Sequence, residues 1–217
     1  QFNDYHEPFL GGASIFLYLK SCNLIQNHSF LSDFNPDLIN AYKQLQNNPK
    51  EIINLLKSYK NERDFYYSIR AVRPQNEIEK AAIFIYLNRT SYNGIYRVNR
   101  DGLYNVPFGY RSGKNLLDCS NFSRISDLLS QNVTFQSSDF EIVRENVKPY
   151  DLVFLDPPYK EGLYEDCFEK IRDLELLAEE GIIVAEHSSS DLFPEEIAGF
   201  TKVKDRKYGS MTISIYA

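Results

Sequence analysis

Nothing in the 217 residues approaches the ~20-residue apolar run that a membrane-spanning helix needs. No charged-then-apolar leader opens the chain either, so the expected setting is the cytoplasm. Cys22, Cys119 and Cys167 lie far apart, with no C-x-x-C or metal-ligand spacing, and are expected to be reduced, buried thiols. His6, His28 and His187 likewise form no zinc pattern, so no metal site is expected. His187 ends the apolar run G-I-I-V-A-E-H, where a capping or surface role is expected ahead of a strand-end role. Internal repeats and low-complexity linkers are absent too.

Overall positive charge is also lacking. The net −6 argues against a protein that coats nucleic acid without selectivity. Its distribution is uneven, however: residues 88–115 hold five basic side chains and one acid, so that segment is +4 and the rest −10. At 43% hydrophobic and 25% charged residues, the composition is that of a soluble globular protein with one substantial core and room for a smaller inserted module.

The most informative stretch is D-L-V-F-L-D-P-P-Y, residues 151–159. Val153, Phe154 and Leu155 form a β-type run that breaks at Asp156, where Pro157 and Pro158 stop the strand and set a rigid turn. A carboxylate and the ring of Tyr159 therefore sit at a strand end, where open α/β sheets bind ligands. The exocyclic amine of a nucleobase is a poor nucleophile until acceptors hold its N–H groups, and Asp156 with the Pro157 carbonyl can be those acceptors. Tyr159 would then stack on an extruded base. By itself D-P-P-Y is equally a tight turn with a strand-end acid.

The chain begins with E-P-F-L-G-G-A-S and an apolar helical segment over Ile15–Leu19; adjacent glycines permit a tight turn and close ligand approach, though a plain strand-to-helix turn is the simpler reading. Phe30-Leu31 end a strand, Asp33 lies just beyond it 21 residues after Gly12, and Pro36-Asp37 start a helix. That spacing suits an acid gripping a ribose hydroxyl; an N-terminal helix cap is the alternative. Residues 49–87 are expected to form a small helical module.

From Asn88 the texture changes. Ile95–Val98 and Leu103–Val106 predict a hairpin turning at Asp101-Gly102, with Tyr92, Tyr96, Tyr104, Phe108 and Tyr110 interleaved among the basic residues. Such rings beside arginines suit DNA reading by stacking and base-edge contacts, against the alternative of a solvated basic hairpin. Further on, a helix is predicted over 121–129 and a strand at Val133–Phe135 leading to Asp139, a second strand-end acid. A helix over Glu165–Ala178, a strand over Ile182–Ala185, and an antiparallel pair, Thr201–Arg206 and Met211–Tyr216, complete the sheet.

Taken in order, E-P-F-L-G-G-A-S, S-D-F-N-P-D-L-I-N-A-Y, Y-L-N-R-T-S-Y-N-G-I-Y-R-V-N, N-V-P-F-G, S-D-F and D-P-P-Y resemble the DNA adenine-N6 methyltransferases of the Dam type over residues 5–159. The resemblance implies an α/β, Rossmann-like S-adenosylmethionine-dependent methyltransferase sheet (1–42 and 116–217) with an inserted helical and hairpin DNA-recognition module (43–115). It implies S-adenosyl-L-methionine held by Pro8, Phe9, Gly11, Gly12 and Ser14, with Asp33 on the ribose and Asp139 and Phe140 on the adenine. Asp156, Pro157 and Tyr159 become catalytic. Double-stranded DNA would be met by Arg89, Tyr92, Asn93, Arg97, Arg100, Asn105 and Arg111, with Tyr92-Asn93 as a wedge and Arg97 on a guanine, by a monomer or weak dimer.

Two features depart from that pattern. The family opens with an aromatic, glycine and lysine segment covering the cofactor, and this chain starts downstream of it. The part after Tyr159 is more similar to bacterial ribosomal RNA guanine-N2 methyltransferases, which keeps an RNA guanine substrate as the alternative, with a catalytically inactive DNA-binding relative as a third.

Overall fold

The computed structural model describes residues 3–110, 119–137, 149–156, 163–191 and 193–217. It divides into two compact units, Gln1–Asn35 with Asn132–Ala217, and Pro36–Gln131.

The first unit is built on strands β1 (Tyr5–Glu7), β2 (Ser29–Asp33), β3 (Val133–Ser137), β4 (Tyr150–Leu155), β5 (Leu177–Ser188), β6 (Glu196–Ile197), β7 (Phe200–Tyr208) and β8 (Met211–Tyr216), with helices α1 (Ser14–Ser21) and α7 (Leu163–Asp173). The strands form one sheet in the order β3-β2-β1-β4-β5-β8-β7-β6. From β3 to β5 all pairs are parallel, and beyond β5 they are antiparallel. Strands covered on both faces must be apolar without interruption. That requirement accounts for Leu152 through Leu155, all buried, as the V-F-L run predicted.

The strand order reverses between β1 and β4, so the crevice beyond their carboxyl ends is the topological switch point of this sheet. On one face Cys167, Phe168 and Ile171 of α7 pack with Val153, Leu155, Ile183, Ala185 and Tyr216.

Three expectations for the first unit need correction. First, α7 stops at Asp173 rather than Ala178, and β5 begins at Leu177 rather than Ile182. Glu175 takes a left-handed φ of 50°, and the Leu176 carbonyl accepts the Tyr150 N–H at 2.7 Å, so the chain joins the sheet where helix propensity alone would continue the helix. Secondly, His187 is 3% exposed, because β5 alternates inward and outward and His187 falls on an inward position. Its Nε2 lies 2.9 Å from the Ser214 hydroxyl and its ring stacks on Phe193 at 3.8 Å. Thirdly, Cys22 is exposed; it lies at the end of α1, outside the apolar face centred on Phe16, whereas Cys119 and Cys167 are buried.

The second unit contains α2 (Pro36–Asn47), α3 (Pro49–Ser58), α4 (Arg63–Ala71), α5 (Glu77–Thr90) and α6 (Phe122–Leu129), so it takes in α2 and α6 as well as the 43–115 segment. Prolines at the first positions of α2 and α3 lack an N–H that would have no helical partner there anyway. α5 begins at a reciprocal cap: Asn76 Oδ1 accepts the Glu79 N–H at 2.9 Å, and Glu79 accepts the Gln75 N–H at 2.6 Å. It then buries Ala81, Ala82, Ile83, Tyr86 and Leu87 among α2, α3 and α4.

The predicted hairpin turns at Asp101-Gly102, with Gly102 at φ 74°. Its arms, however, pair through one isolated bridge, Val98 with Tyr104, rather than as strands. The side chains account for this. Asn99 Oδ1 accepts the N–H groups of Asp101 and Leu103, and the Tyr104 hydroxyl donates to the Ile95 carbonyl.

Candidate active site and nucleic-acid interface

In the first unit the chain leaves β1 through Glu7-Pro8-Phe9-Leu10 into the glycine turn. Gly11 has φ 44° and Ala13 φ 53°, both left-handed, which lets the turn close immediately before α1. The Gly11 N–H donates to Asp33 Oδ2 at 3.0 Å, and Asp33 Oδ1 accepts the Asn35 N–H at 2.9 Å. The Leu10 N–H donates to the Ser32 carbonyl at 3.0 Å. Thus the strand-end acid and the glycine turn, read as separate signals in the sequence, are one hydrogen-bonded assembly. Ser14 is the first residue of α1.

Asp156 follows β4 across the switch point and is half-buried, and burial raises its pKa. Two acids that sequence reasoning did not single out accompany it. Glu7 is 2% exposed at the end of β1, and Tyr5 donates its hydroxyl to Glu7 Oε2 at 2.8 Å. Burial is the main cause of a Glu7 carboxyl raised to about 7; the bonds from Tyr5 and the Phe16 N–H lower it and the charge of Asp156 raises it. Glu186, near the end of β5, is raised by burial and then by Asp156. The only sequence signal for Glu7 was its place immediately before Pro8-Phe9.

A half-buried carboxylate of raised basicity is a good hydrogen-bond acceptor for an amine N–H. The left-handed glycine turn after β1 suits a ligand that needs close backbone approach, such as a nucleoside-bearing cofactor. Pro157, Tyr159, Asp139 and Phe140 lie outside the described residues, as does Arg111. No group of three or more His, Cys, Asp or Glu able to hold a metal ion occurs among the described residues. Among them, too, no helix is long and apolar enough to cross a membrane.

In the second unit the predicted DNA-facing residues separate into two sets. Tyr92 is 53% exposed, with Asn93 beside it in a 3-10 turn (Tyr92–Gly94) at φ 54°. This turn is fixed by the N-V-P-F-G segment: the Tyr92 N–H donates to the Pro107 carbonyl at 2.9 Å, and the Gly109 N–H to the Thr90 carbonyl at 2.9 Å. A Cβ on Gly109 would lie 2.4 Å from the Ser91 carbonyl oxygen, so only glycine fits that approach. Arg97 and Arg100 are exposed, and Arg97 Nε donates to Asn105 Oδ1 at 2.7 Å.

The second set makes packing contacts within the unit. Arg89 lies over the Phe122 ring at 5.4 Å. Phe108 is buried against Tyr66, and Tyr96 packs on Phe84 and bonds Asp37. Of the five interleaved rings, Tyr92 and Tyr110 are the exposed ones.

With strand order, switch point and glycine turn in place, the first unit has the fold of the Rossmann-like methyltransferases. Two solved structures share that fold over nearly the whole chain. The Streptococcus pyogenes conserved hypothetical protein aligns at TM-score 0.51 and 15% identity, over 99% of this chain and 86% of its own. Escherichia coli yhhF, which carries the name of a methyltransferase, aligns at TM-score 0.52 and 14% identity, over 98% of this chain and 75% of its own. Residues 1–178 match the model of the D12 class N6 adenine-specific DNA methyltransferases, and the chain belongs to that family.

The type II methyltransferase M.MjaIII of Methanocaldococcus jannaschii is 38% identical over 174 residues, 72% of this chain and 58% of that protein. M1.LlaDCHI of Lactococcus lactis subsp. cremoris is 31% identical over 221 residues, 91% of this chain and 76% of that protein. A Vibrio cholerae DNA adenine methylase is 31% identical over 159 residues, 70% of this chain and 55% of that protein. The chain thus spans between about half and three quarters of these relatives' lengths. Family and fold together imply a cofactor of the S-adenosylmethionine type.

Proposed function

We propose that this chain methylates the N6 amine of an adenine extruded from double-stranded DNA. The observation that carries the reading is the half-buried Asp156 at the end of β4, near enough for its charge to act on Glu7 at the end of β1, where the glycine turn that Asp33 holds begins. Membership of an adenine-specific DNA methyltransferase family supports the choice of base and polymer.

S-adenosyl-L-methionine, when bound, supplies a sulfonium-activated methyl group and departs as a neutral thioether. Pro8, Phe9, Gly11, Gly12 and Ser14 form its cradle, with Asp33 toward the ribose and Asp139 and Phe140 toward the adenine. Asp156 and the Pro157 carbonyl accept the N6–H bonds of the target base, drawing the nitrogen lone pair out of conjugation with the ring. The nitrogen becomes cationic as its new bond forms, and the nearby Asp156 carboxylate stabilises that charge before the proton is lost to water. Tyr159 stacks on the extruded base. The Pro36–Gln131 unit reads the target, with Tyr92 and Asn93 as the wedge, Arg97 and Asn105 on base edges, and Arg89, Arg100 and Arg111 supporting the approach of the DNA. A cytoplasmic setting is part of this reading. The names of two relatives as type II methyltransferases favour a modification role.

Transfer of tritium from labelled cofactor to duplex DNA, ribosomal RNA or neither tests this reading. Label recovered as N6-methyladenine, and lost in Asp156→Ala with retained S-adenosylhomocysteine binding, is the expected result. Label recovered as N2-methylguanine in RNA would install the alternative substrate, and equal turnover by Asp156→Ala would remove the catalytic assignment.

A further inference from the structure

Strand β7 is open to solvent on both faces: every residue from Val203 to Tyr208 is exposed, Tyr208 by 50%. Its outer neighbour β6 pairs only with Phe200 and Thr201. The charge of β7 also sets it apart. The first unit carries 21 acidic and ten basic side chains, and four of those ten, Lys202, Lys204, Arg206 and Lys207, stand in β7 beside a single acid, Asp205. The turn that follows, Tyr208-Gly209-Ser210, lies at the carboxyl end of β5, where the Ser189 N–H donates to the Ser210 carbonyl at 2.9 Å. That is the edge of the sheet at which ligands bind.

The pairing register sorts these side chains between two faces, because opposed residues share a face and successive ones alternate. Arg206 pairs with Ile213, and Ile213 with Glu186. Glu186 follows Ala185, the partner of Leu155, as Asp156 follows Leu155, and the charge of Asp156 acts on Glu186. Asp156, Glu186, Ile213 and Arg206 therefore form one row across β4, β5, β8 and β7, roughly 14 Å long at ordinary strand spacing. Lys204, opposite Ile215, and Tyr208, opposite Met211, share that face. Asp205 and Lys207 belong to the other, with the buried Ser214 and Thr212.

Lys202 is spent on Glu195 at 2.8 Å and on the Phe193 carbonyl at 3.1 Å. Lys204 and Arg206 have no ion-pair or hydrogen-bond partner among the described residues, and the Arg206 guanidinium lies 5.3 Å from the Tyr208 ring centroid. Charge on an edge strand guards against pairing with another chain. That accounts for lysines in β7, but not for the exposed ring beside Arg206 or for the confinement of the acid to the far face.

We propose that β7 is a DNA contact made by the catalytic unit itself, in which Arg206 and Lys204 hold the phosphates flanking the extruded adenine and Tyr208 braces the guanidinium. The assignment rests on DNA being the substrate, as proposed above. An adenine whose amine lies at Asp156 carries its sugar and phosphates away from that acid, and Arg206 is the cation that the register places in the same row. The contact contributes affinity and keeps the base extruded; it conveys no sequence information.

The test uses the full chain and a duplex centred on the adenine that the labelled-transfer assay identifies, bearing single neutral methylphosphonates along the target strand. Arg206→Gln and Lys204→Gln, at exposed positions, are expected to keep the thermal midpoint of the parent protein. Each should lower the salt dependence of duplex binding by about one unit of slope, with sequence preference retained. A methylphosphonate beside the target adenine should weaken the parent by about 5-fold and have no further effect on Arg206→Gln. Lys207→Gln, on the opposite face, should bind as the parent does. Unchanged slopes in both variants, an equal loss in Lys207→Gln, or sensitivity confined to phosphates remote from the adenine would overturn the β7 contact while leaving the DNA reading standing. A parent that methylates only RNA would overturn both.

Discussion

Asp33 accepts the N–H of Gly11 at 3.0 Å, joining the end of β2 to the glycine turn after β1. The carboxylate thereby holds in place a backbone segment whose φ of 44° disfavours any residue with a Cβ. The same side chain anchors Asn35 just before α2 through its other oxygen.

Replacing Asp33 should therefore have two separable effects. Asp33→Ala loses two hydrogen bonds, at about 1 kcal/mol each, and should lower the unfolding midpoint. If the carboxylate also holds the ribose, calorimetry will show S-adenosylhomocysteine affinity falling by about tenfold or more in the folded protein. Asp33→Asn keeps one acceptor oxygen and should lie between. A midpoint shift with unchanged cofactor affinity would restrict Asp33 to bracing the turn.

His6 and Glu7 are adjacent and buried, and they oppose each other in pH. His6, with neither ring nitrogen partnered among the described residues and Tyr150 against its edge, is lowered by burial to about 4. Its stabilising contribution is present above its ordinary value of 6.5 and is lost as pH falls toward 4. Glu7 is raised to about 7, so its contribution is present below its ordinary 4.5 and is lost as pH rises through 7. Each is worth up to roughly 3 kcal/mol by linkage.

Denaturant unfolding from pH 4 to 8 should then show stability rising with pH more steeply in Glu7→Gln than in the parent. In His6→Phe it should fall more steeply between about 4.5 and 7. Parallel profiles for parent and Glu7→Gln would show that Glu7 ionises as in the unfolded chain.

Gly109→Ala tests the lock on the Tyr92 turn. The new Cβ would meet three backbone atoms of Thr90-Ser91, at 2.4, 2.7 and 3.0 Å, so the turn itself must move. A cost of about 1–3 kcal/mol in thermal unfolding is expected, with weakened duplex binding because Tyr92 and Asn93 are displaced. Gly12→Ala meets nothing closer than 3.7 Å and should cost less stability. Equal midpoints for the two variants would refute the packing argument.

Arg97 is oriented by Asn105 through the 2.7 Å bond to its Nε. Arg97→Ala should relax sequence preference at one base pair by about 1–3 kcal/mol and slow transfer on the best site less. Asn105→Ala, which frees Arg97 without removing it, should give a weaker form of the same change. A site profile unaltered in both, measured by methylation of a randomised duplex library, would place the reading residue elsewhere.

Local chemistry written along the chain was enough to predict much of this. The apolar V-F-L run ahead of two prolines, the Gly11-Gly12 turn with Asp33 21 residues on, and the helix-period apolar positions of α5 each depend on neighbours in sequence. They led to a parallel α/β sheet, to Asp156 at a strand end and to a family resemblance that the match over residues 1–178 supports. The extent of α7 was misjudged because Glu175 and Leu176 have ordinary helix propensity. Only pairing of Leu176 with Tyr150 across the sheet diverts them.

Tertiary structure alone decided which polar groups lose water and which charges meet. Burial made Glu7 a carboxyl of about 7 and turned His187 inward, and it consigned Phe108 to packing while leaving Tyr92 and Arg97 exposed. Sequence periodicity encodes which face of an element is apolar. It does not encode which partner from a distant segment will cover that face, and desolvation, with the electrostatics that follow from it, depends on that partner.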